Sequence, residues 1–238
     1  MEIDYNVCML DSRAVLACEQ SDGNLKQWAK DYYILVLDIM NQYAKKTSRV
    51  IANLTQVIEN MVDAHDPPAA GHQREVGLLA KSIAQEMSVD DDFINCVLLA
   101  AQIHDIGKIM IPPEILTASG KLNNMQQAII KLHPQTGYSI LKPLDFPWDI
   151  ARVIYQHHER LDGTGYPQGL SGDRILLESR ILAVADVVQA MVSKRPYHTP
   201  VSVEKAIEEL ETNRGKLYDS DVVNTYVSLV KRADVSHN

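Results

Sequence analysis

The sequence predicts an all-α protein, in which a short N-terminal segment and one long helix precede a helical bundle. Apolar residues recur at three- and four-residue steps along most of the chain, and no long stretch alternates apolar with polar residues. Pro and Gly are concentrated between these periodic runs. With only two Phe and two Trp in 238 residues, an aromatic-rich β-sandwich is also disfavoured.

Residues 1–24 are predicted to form a short segment of their own. It contains two apolar runs, YNVCML and RAVLACEQ, and it closes with the turn-like sequence SDGN. This pattern is typical of a hairpin, or of the end of a sensor domain.

Residues 25–64 are predicted to form one long amphipathic helix. Its apolar positions are Leu25, Trp28, Tyr32, Leu35, Ile39, Tyr43, Val50, Leu54, Val57 and Met61. A helix of this length suits either a coiled-coil homodimer or docking on its own domain, and both remain open. The sequence Asp66-Pro67-Pro68 must end or bend it, because proline donates no backbone hydrogen bond and restricts the preceding residue.

Residues 65–238 are predicted to form the main domain, a bundle of periodic helical segments joined by Pro- and Gly-containing connections. The formal charge of −8 and the pI near 5.4 argue against a DNA partner, because the whole chain has no excess of positive charge to attract phosphates. Cys8, Cys18 and Cys96 have no disulfide or zinc spacing. No secretory signal or membrane segment is predicted, so we expect a cytoplasmic protein.

Several ionisable residues lie where the pattern predicts burial. The apolar stretch VLLAAQIHDIGKIMIPPEIL carries His104 and Asp105, with Lys108 four residues after His104. Buried ionisable groups are costly unless they pair or bind a metal. Other such residues lie on or at the ends of core-facing helices, which gives the set His72, His104, Asp105, His133, His157, His158 and Asp186.

Imidazole and carboxylate ligands without thiolate suit Fe, Mn or Zn. Seven candidate ligands are too many for one tetrahedral site and about enough for two metals. Paired metals polarise a phosphoryl group and generate hydroxide from water, so the predicted reaction is phosphoester hydrolysis. Lys108, placed on the face of His104 by its i,i+4 spacing, would then bind phosphate.

In this order, the residues resemble those of the HD-GYP family, a branch of the HD superfamily of metal-dependent phosphohydrolases. The matching stretches are His72, HDIGK at 104–108, KLHPQTG around His133, HHERLDGTGYPQGL at 157–170 and RILAVADVVQAMVSKRPY at 180–197. A bare HD pair is weak evidence, but this ordered set is specific. The resemblance covers roughly residues 66–220 and implies an HD-domain helical bundle of the HD-GYP type.

The resemblance implies hydrolysis of cyclic di-GMP, a bacterial second messenger, to linear pGpG, and it leaves GMP open as a further product. The implied cofactor is a binuclear site for Fe or Mn, with Zn or Ni as alternatives. The seven residues above are the implied metal ligands, and Asp105 is the implied bridging carboxylate. Asp105 and Lys108 are the implied catalytic residues, and Lys108, Tyr166 and Arg195 are the implied phosphate-binding residues. Pro68 stands where some members carry a ligand for a third metal, which favours two metals here.

The segment Asp162 through Leu170 is expected to be a recognition loop. Gly163 and Gly165 permit backbone conformations closed to other residues, and the loop would present Tyr166 to substrate. In relatives this loop also offers a surface to diguanylate cyclases (GGDEF proteins). Two alternative functions remain open from the sequence: a receptor that binds cyclic di-GMP without cleaving it, and an HD phosphohydrolase acting on other nucleotides.

Overall fold

The computed structural model describes residues 23–118, 120–193 and 200–236, and the prediction of an all-α fold is confirmed. In this part of the chain the only extended pairings are two isolated bridges, Asp162 with Ser171 and Arg214 with Tyr218. The α-helices are, in chain order, α1 Gly23–His65, α2 His72–Glu86, α3 Asp91–Ile103, α4 Pro113–Leu116, α5 Asn124–Ile130, α6 His133–Leu141, α7 Ile150–Gln156, α8 Leu177–Val192, α9 Val203–Thr212 and α10 Ser220–Ser236. Short 3-10 helices lie at Pro67–Ala69, Ile106–Met110 and Gly172–Arg174.

The chain divides into two compact units, Met1–Leu54 and Thr55–Asn238. The described part of the first unit is the beginning of α1, and the predicted hairpin or sensor remnant lies outside the described residues. Helix α1 ends at His65, directly before Asp66-Pro67-Pro68, as the two prolines predict. The predicted division at residues 24 and 64 stays a prediction.

The second unit is organised around α3, which packs against α2, α7 and α8. Its inward side chains, among them Val97, Ala101 and Ile103, are almost inaccessible to solvent. Within the described chain, one stretch, Asp91–Met110, is long and apolar enough to span a membrane by length and composition, but 61% of its most apolar window is buried inside the fold. That burial is expected of the central helix of a core.

The core helices end where the sequence changes from apolar to ionisable. Helix α3 begins behind Asp90, whose carboxylate accepts the Phe93 amide at 2.8 Å, and it ends at Ile103, one residue before His104. Helix α7 ends at Gln156, directly before His157 and His158. These histidines therefore lie at helix ends that face the interior of the bundle.

Candidate metal centre

The seven residues predicted as metal ligands converge at one place in the second unit. The imidazole rings form a continuous group: the ring centroids of His72 and His104 lie 5.6 Å apart, those of His104 and His157 5.2 Å apart, and those of His157 and His133 5.2 Å apart. His158 packs on His133 with a centroid distance of 5.0 Å. Five segments distant in sequence thus meet in one polar cluster inside an apolar bundle.

Three of the histidines are oriented by the backbone of the turn that precedes them. The Nδ1 atoms of His104, His133 and His157 lie 2.7, 2.7 and 2.6 Å from the carbonyl oxygens three residues earlier. Because a carbonyl oxygen can only accept, each Nδ1 must donate, and in a neutral ring the lone pair is left on Nε2. The Nε2 atoms of His133 and His157 face each other at 3.2 Å. Two nitrogen lone pairs that face each other repel, and a cation bound by both nitrogens would remove that repulsion.

The two aspartates lie between these rings. The Oδ2 atom of Asp105 is 3.4 Å from His104 Nε2, and its Oδ1 atom is 3.3 Å from His133 Nε2. The Oδ1 atom of Asp186 is 2.9 Å from His72 Nε2, and its Oδ2 atom is 4.0 Å from His158 Nδ1. Asp186 Oδ1 also lies 3.8 Å from His104 Nε2, so each carboxylate faces at least two histidines that come from different helix ends.

Potential ligand atoms cluster in three groups, within each of which they lie no more than 4.8 Å apart. The groups are His72, His104 and Asp186; His133, His157 and His158; and His104, Asp105 and His157. The first two share no residue, whereas the third takes one histidine from each and adds Asp105. This is the arrangement expected of two neighbouring cation sites joined by one carboxylate, so the donor set fits a binuclear divalent centre.

The electrostatics keep His157 and His158 neutral, and they keep Asp105 and Asp186 ionised. Burial, together with the neighbouring positive charges of His104 and His133 when they are protonated, lowers the pKa of His157 to about 3. Burial and His157 likewise hold the pKa of His158 well below its usual range. Burial would raise the pKa of Asp105, but Lys108 and His104 outweigh it and hold that pKa well below its ordinary value. Neutral imidazole and charged carboxylate are the forms that bind metal.

Lys108 lies beside the centre, but not by the helical geometry predicted from its spacing. Helix α3 ends at Ile103, and Lys108 belongs to the 3-10 helix Ile106–Met110. The prediction that Lys108 and His104 share one face of an α-helix was therefore wrong. Its Nζ atom is instead 2.8 Å from Asp105 Oδ2 and 3.2 Å from Asp66 Oδ2. Burial would lower the pKa of Lys108, but these two carboxylates raise it. Lys108 is therefore a fixed positive charge at the edge of the centre.

The segment after the paired histidines folds back onto them. The Tyr166 ring stacks on the His158 ring with a centroid distance of 4.8 Å, and the Tyr166 amide donates to the His158 carbonyl oxygen at 3.2 Å. Burial and the nearby Asp186 raise the pKa of Tyr166, so its hydroxyl stays protonated. The loop thus places a neutral aromatic ring against a proposed ligand.

Glycine and glutamate hold this loop in place. Gly163 has a φ of +81°, as predicted, but Gly165 is required for a different reason. A Cβ at Gly165 would lie 2.4 Å from the backbone of Glu159 and Arg160, so the two chain segments approach too closely for any side chain. The buried Glu159 carboxylate accepts the amides of Gln168 and Leu170 at 2.7 and 2.9 Å.

Some functional candidates were not predicted from the sequence. Asp66 was interpreted only as part of a helix stop, yet it is buried and paired with Lys108. The Gln73 side-chain oxygen lies 3.4 Å from the Asp105 amide. A lone Asp, Gln or Glu gives no periodic signal, so only tertiary contacts reveal these roles. Arg195, predicted to bind phosphate, lies outside the described residues.

The chain is similar in sequence to proteins of a known family. The model of a family described as the HD domain matches residues 56–222. The chain is 37% identical over 195 residues to a cyclic di-GMP phosphodiesterase of Thermotoga maritima, covering 77% of this chain and 53% of that protein. It is also 37% identical over 153 residues to the 3′3′-cGAMP-specific phosphodiesterase 3 of Vibrio cholerae, covering 64% of this chain and 33% of that protein.

The fold is similar to that of a solved structure, Bd1817, an HDG"Y"P protein from Bdellovibrio bacteriovorus. The TM-score is 0.56 at 21% identity, over 67% of this chain and 51% of that one, which is a likeness of fold alone. The chain spans about half the length of the Thermotoga relative and a third of the Vibrio relative.

Proposed function

Because this chain belongs to the HD domain family, we propose that it is a metal-dependent phosphodiesterase that hydrolyses cyclic di-GMP to pGpG, with GMP left open as a further product. The observation that carries the proposal is the pair of ligand groups joined by Asp105. The named activity of the Thermotoga relative supports the substrate. Bound divalent metal would supply the charge that polarises a phosphoryl group and the acidity that turns water into a nucleophile at neutral pH.

We assign the ligand roles to His72, His104, Asp105, His133, His157, His158 and Asp186. Backbone carbonyls fix three of these imidazoles and neighbouring charges keep Asp105 ionised, so these residues have the orientation and charge that metal ligands need. Fe or Mn is the proposed metal, since oxygen and nitrogen ligands without thiolate suit both, and Zn or Ni remain alternatives.

Lys108 is proposed to hold a phosphate oxygen of the substrate. The neighbouring carboxylates raise its pKa, so at neutral pH it is an ammonium group that binds by charge and is poorly suited to donate a proton to the leaving ribose oxygen. Asp66 lies outside the proposed ligand set and keeps Lys108 in position when Asp105 is engaged by metal. Tyr166 and Arg195 remain proposed substrate contacts.

The direct test is turnover by protein purified without oxygen, with metal analysis on the same sample. We expect release of pGpG from cyclic di-GMP in the presence of Mn²⁺ or Fe²⁺, and loss of that activity after chelation. Binding of cyclic di-GMP without product would instead identify a receptor. Hydrolysis of ordinary nucleotides in preference to cyclic dinucleotides would identify a different phosphohydrolase.

A second substrate is 3′3′-cGAMP, and the activity named for the Vibrio relative is the observation that favours it. Both compounds are cyclic dinucleotides with the same phosphodiester ring, so the centre described above is suited to either. Rates on the two substrates, measured side by side at equal concentration, will rank them.

The first unit is proposed to form a homodimer through α1. Leu35, Ile39, Tyr43, Val50 and Leu54 lie four or seven residues apart and expose 44% to 68% of their surface. A parallel coiled coil would bury such a stripe. Light scattering of the full chain is expected to give twice the monomer mass, and Leu35→Lys with Ile39→Lys should restore the monomer; a wild-type monomer would contradict the proposal.

We further propose that the chain acts in the bacterial cytoplasm. There the loop Asp162 through Leu170 would be available to a diguanylate cyclase (GGDEF protein), and Glu159 keeps that loop folded against the centre. Association of the two purified proteins, compared between the wild type and a Gln168→Ala variant, would measure this contact.

A further inference from the structure

Lys131 places a positive charge beside the metal centre. It precedes His133 by two residues, at the end of α5, and its side chain is exposed. Its Nζ atom lies over the Tyr166 ring, 5.2 Å from the centroid, and that ring stacks on His158. The ammonium group is thus separated from a proposed ligand by a single aromatic ring.

Two other cations of the described chain lie close to the centre. Lys108 contacts two carboxylates, Asp66 and Asp105, and is already assigned to the phosphate at the metals. The Arg160 guanidinium donates to the carbonyl oxygens of His157 and Glu159 and lies over the Tyr218 ring. Among the described residues Lys131 makes no ion pair, so its charge is available to an anion from solution.

The proposed substrate has two phosphodiesters, and the metal centre accounts for only one of them. The second phosphate keeps its negative charge, and a chain with net charge −8 repels it unless a local cation is present. Resting on the proposed function, we propose that Lys131 binds the second phosphate of the cyclic dinucleotide. The aliphatic part of the Lys131 side chain and the Tyr166 ring form the wall along which that half of the cyclic dinucleotide lies.

The chain offers a closely matched control in Lys142. Lys142 is exposed and lies directly after α6, as Lys131 lies directly after α5. Its Nζ atom lies 5.4 Å from the centroid of the Tyr138 ring. Tyr138 in turn stacks on Tyr155 at 4.8 Å, as Tyr166 stacks on His158. Lys142 therefore shares the local contacts of Lys131 but is not part of the centre.

The experiment compares Lys131→Met, Lys131→Arg and Lys142→Met in the metal-loaded enzyme. The substrates are cyclic di-GMP, with two phosphates, and bis(4-nitrophenyl) phosphate, with one. We expect Lys131→Met to raise KM for cyclic di-GMP about tenfold, the size of one charge-assisted contact, and to leave kcat/KM for the single-phosphate ester unchanged. Its KM should also depend less on salt than that of the wild type. Lys131→Arg and Lys142→Met should behave like the wild type.

Two outcomes would overturn the assignment. An unchanged KM for cyclic di-GMP in Lys131→Met would show that Lys131 does not contact the substrate. An equal loss on both substrates would show that it acts only by holding Tyr166 and His158. Failure of the wild type to cleave cyclic dinucleotides, with turnover of the single-phosphate ester retained, would reject the proposed substrate, and so is distinguishable from both.

Discussion

Asp105→Asn is expected to abolish metal retention and to lower turnover of cyclic di-GMP by a factor of about 1000 or more. The proposed chemistry depends on bound metal, and Asp105 is the proposed ligand that connects the two metal sites. Asn has nearly the shape of Asp but carries no charge, so the change removes the anion without leaving a cavity. In the structure, Asp105 is the residue that joins the two ligand groups, and its two oxygens face His104 and His133. The measurements are metal content after gel filtration and initial rates on the same sample.

Asp173→Asn is the matched control. This side chain is fully exposed and is paired with Arg180, in a part of the chain that offers no ligand to the proposed centre. We expect wild-type metal content and wild-type rates. Far-ultraviolet circular dichroism should give the same helix signal for both variants, which separates loss of metal from loss of fold. An Asp105→Asn protein with full metal content and full activity would refute the ligand assignment.

The sequence was sufficient to single out the seven residues that converge in the structure, because each of them violates a local rule. An ionisable residue at the end of an apolar helix conflicts with burial, and seven such conflicts imply a shared solution. Helix stops were predictable for a similar reason, since Asp66-Pro67-Pro68 cannot continue α1. These signals are local, so they survive without knowledge of the fold.

The contacts that hold the centre in place could not be predicted, because they depend on which segments meet in space. The end of α1 is an example. Asp66 pairs with Lys108, and the Nε2 atom of His65 lies 2.8 Å from the Ile111 carbonyl oxygen. One short stretch therefore contacts the middle of the 3-10 helix Ile106–Met110 and the residue directly after it. The sequence reveals only a helix stop there. In the folded chain, His65 and Asp66 also hold Ile111 and Lys108 in position next to the centre.

Gly107→Ala is expected to lower the free energy of unfolding by about 3 kcal/mol, at the upper end of what overpacking costs. A Cβ at this position would lie 2.0 Å from the His133 carbonyl oxygen and 2.7 Å from the Gly137 amide nitrogen. Both obstacles are backbone atoms of α6, so no side chain can move aside. Because α6 begins at His133, the helix must shift and carry a proposed ligand with it. Urea unfolding of the metal-free protein measures the stability loss, and metal content measures the displacement.

Gly137→Ala tests whether the effect of Gly107→Ala comes from this contact with the backbone or from any added methyl group in the region. Gly137 faces Gly107 across the same contact, but its Cβ would first meet the Ile154 Cγ2 atom at 3.2 Å, a side-chain methyl that can yield by a few tenths of an ångström. Alanine also favours the helix over glycine by about 1 kcal/mol, which offsets the crowding. We therefore expect Gly137→Ala to unfold within about 1 kcal/mol of the wild type and to keep its metal. Equal losses in the two variants would mean that His133 is not held in place by the close approach of Gly107.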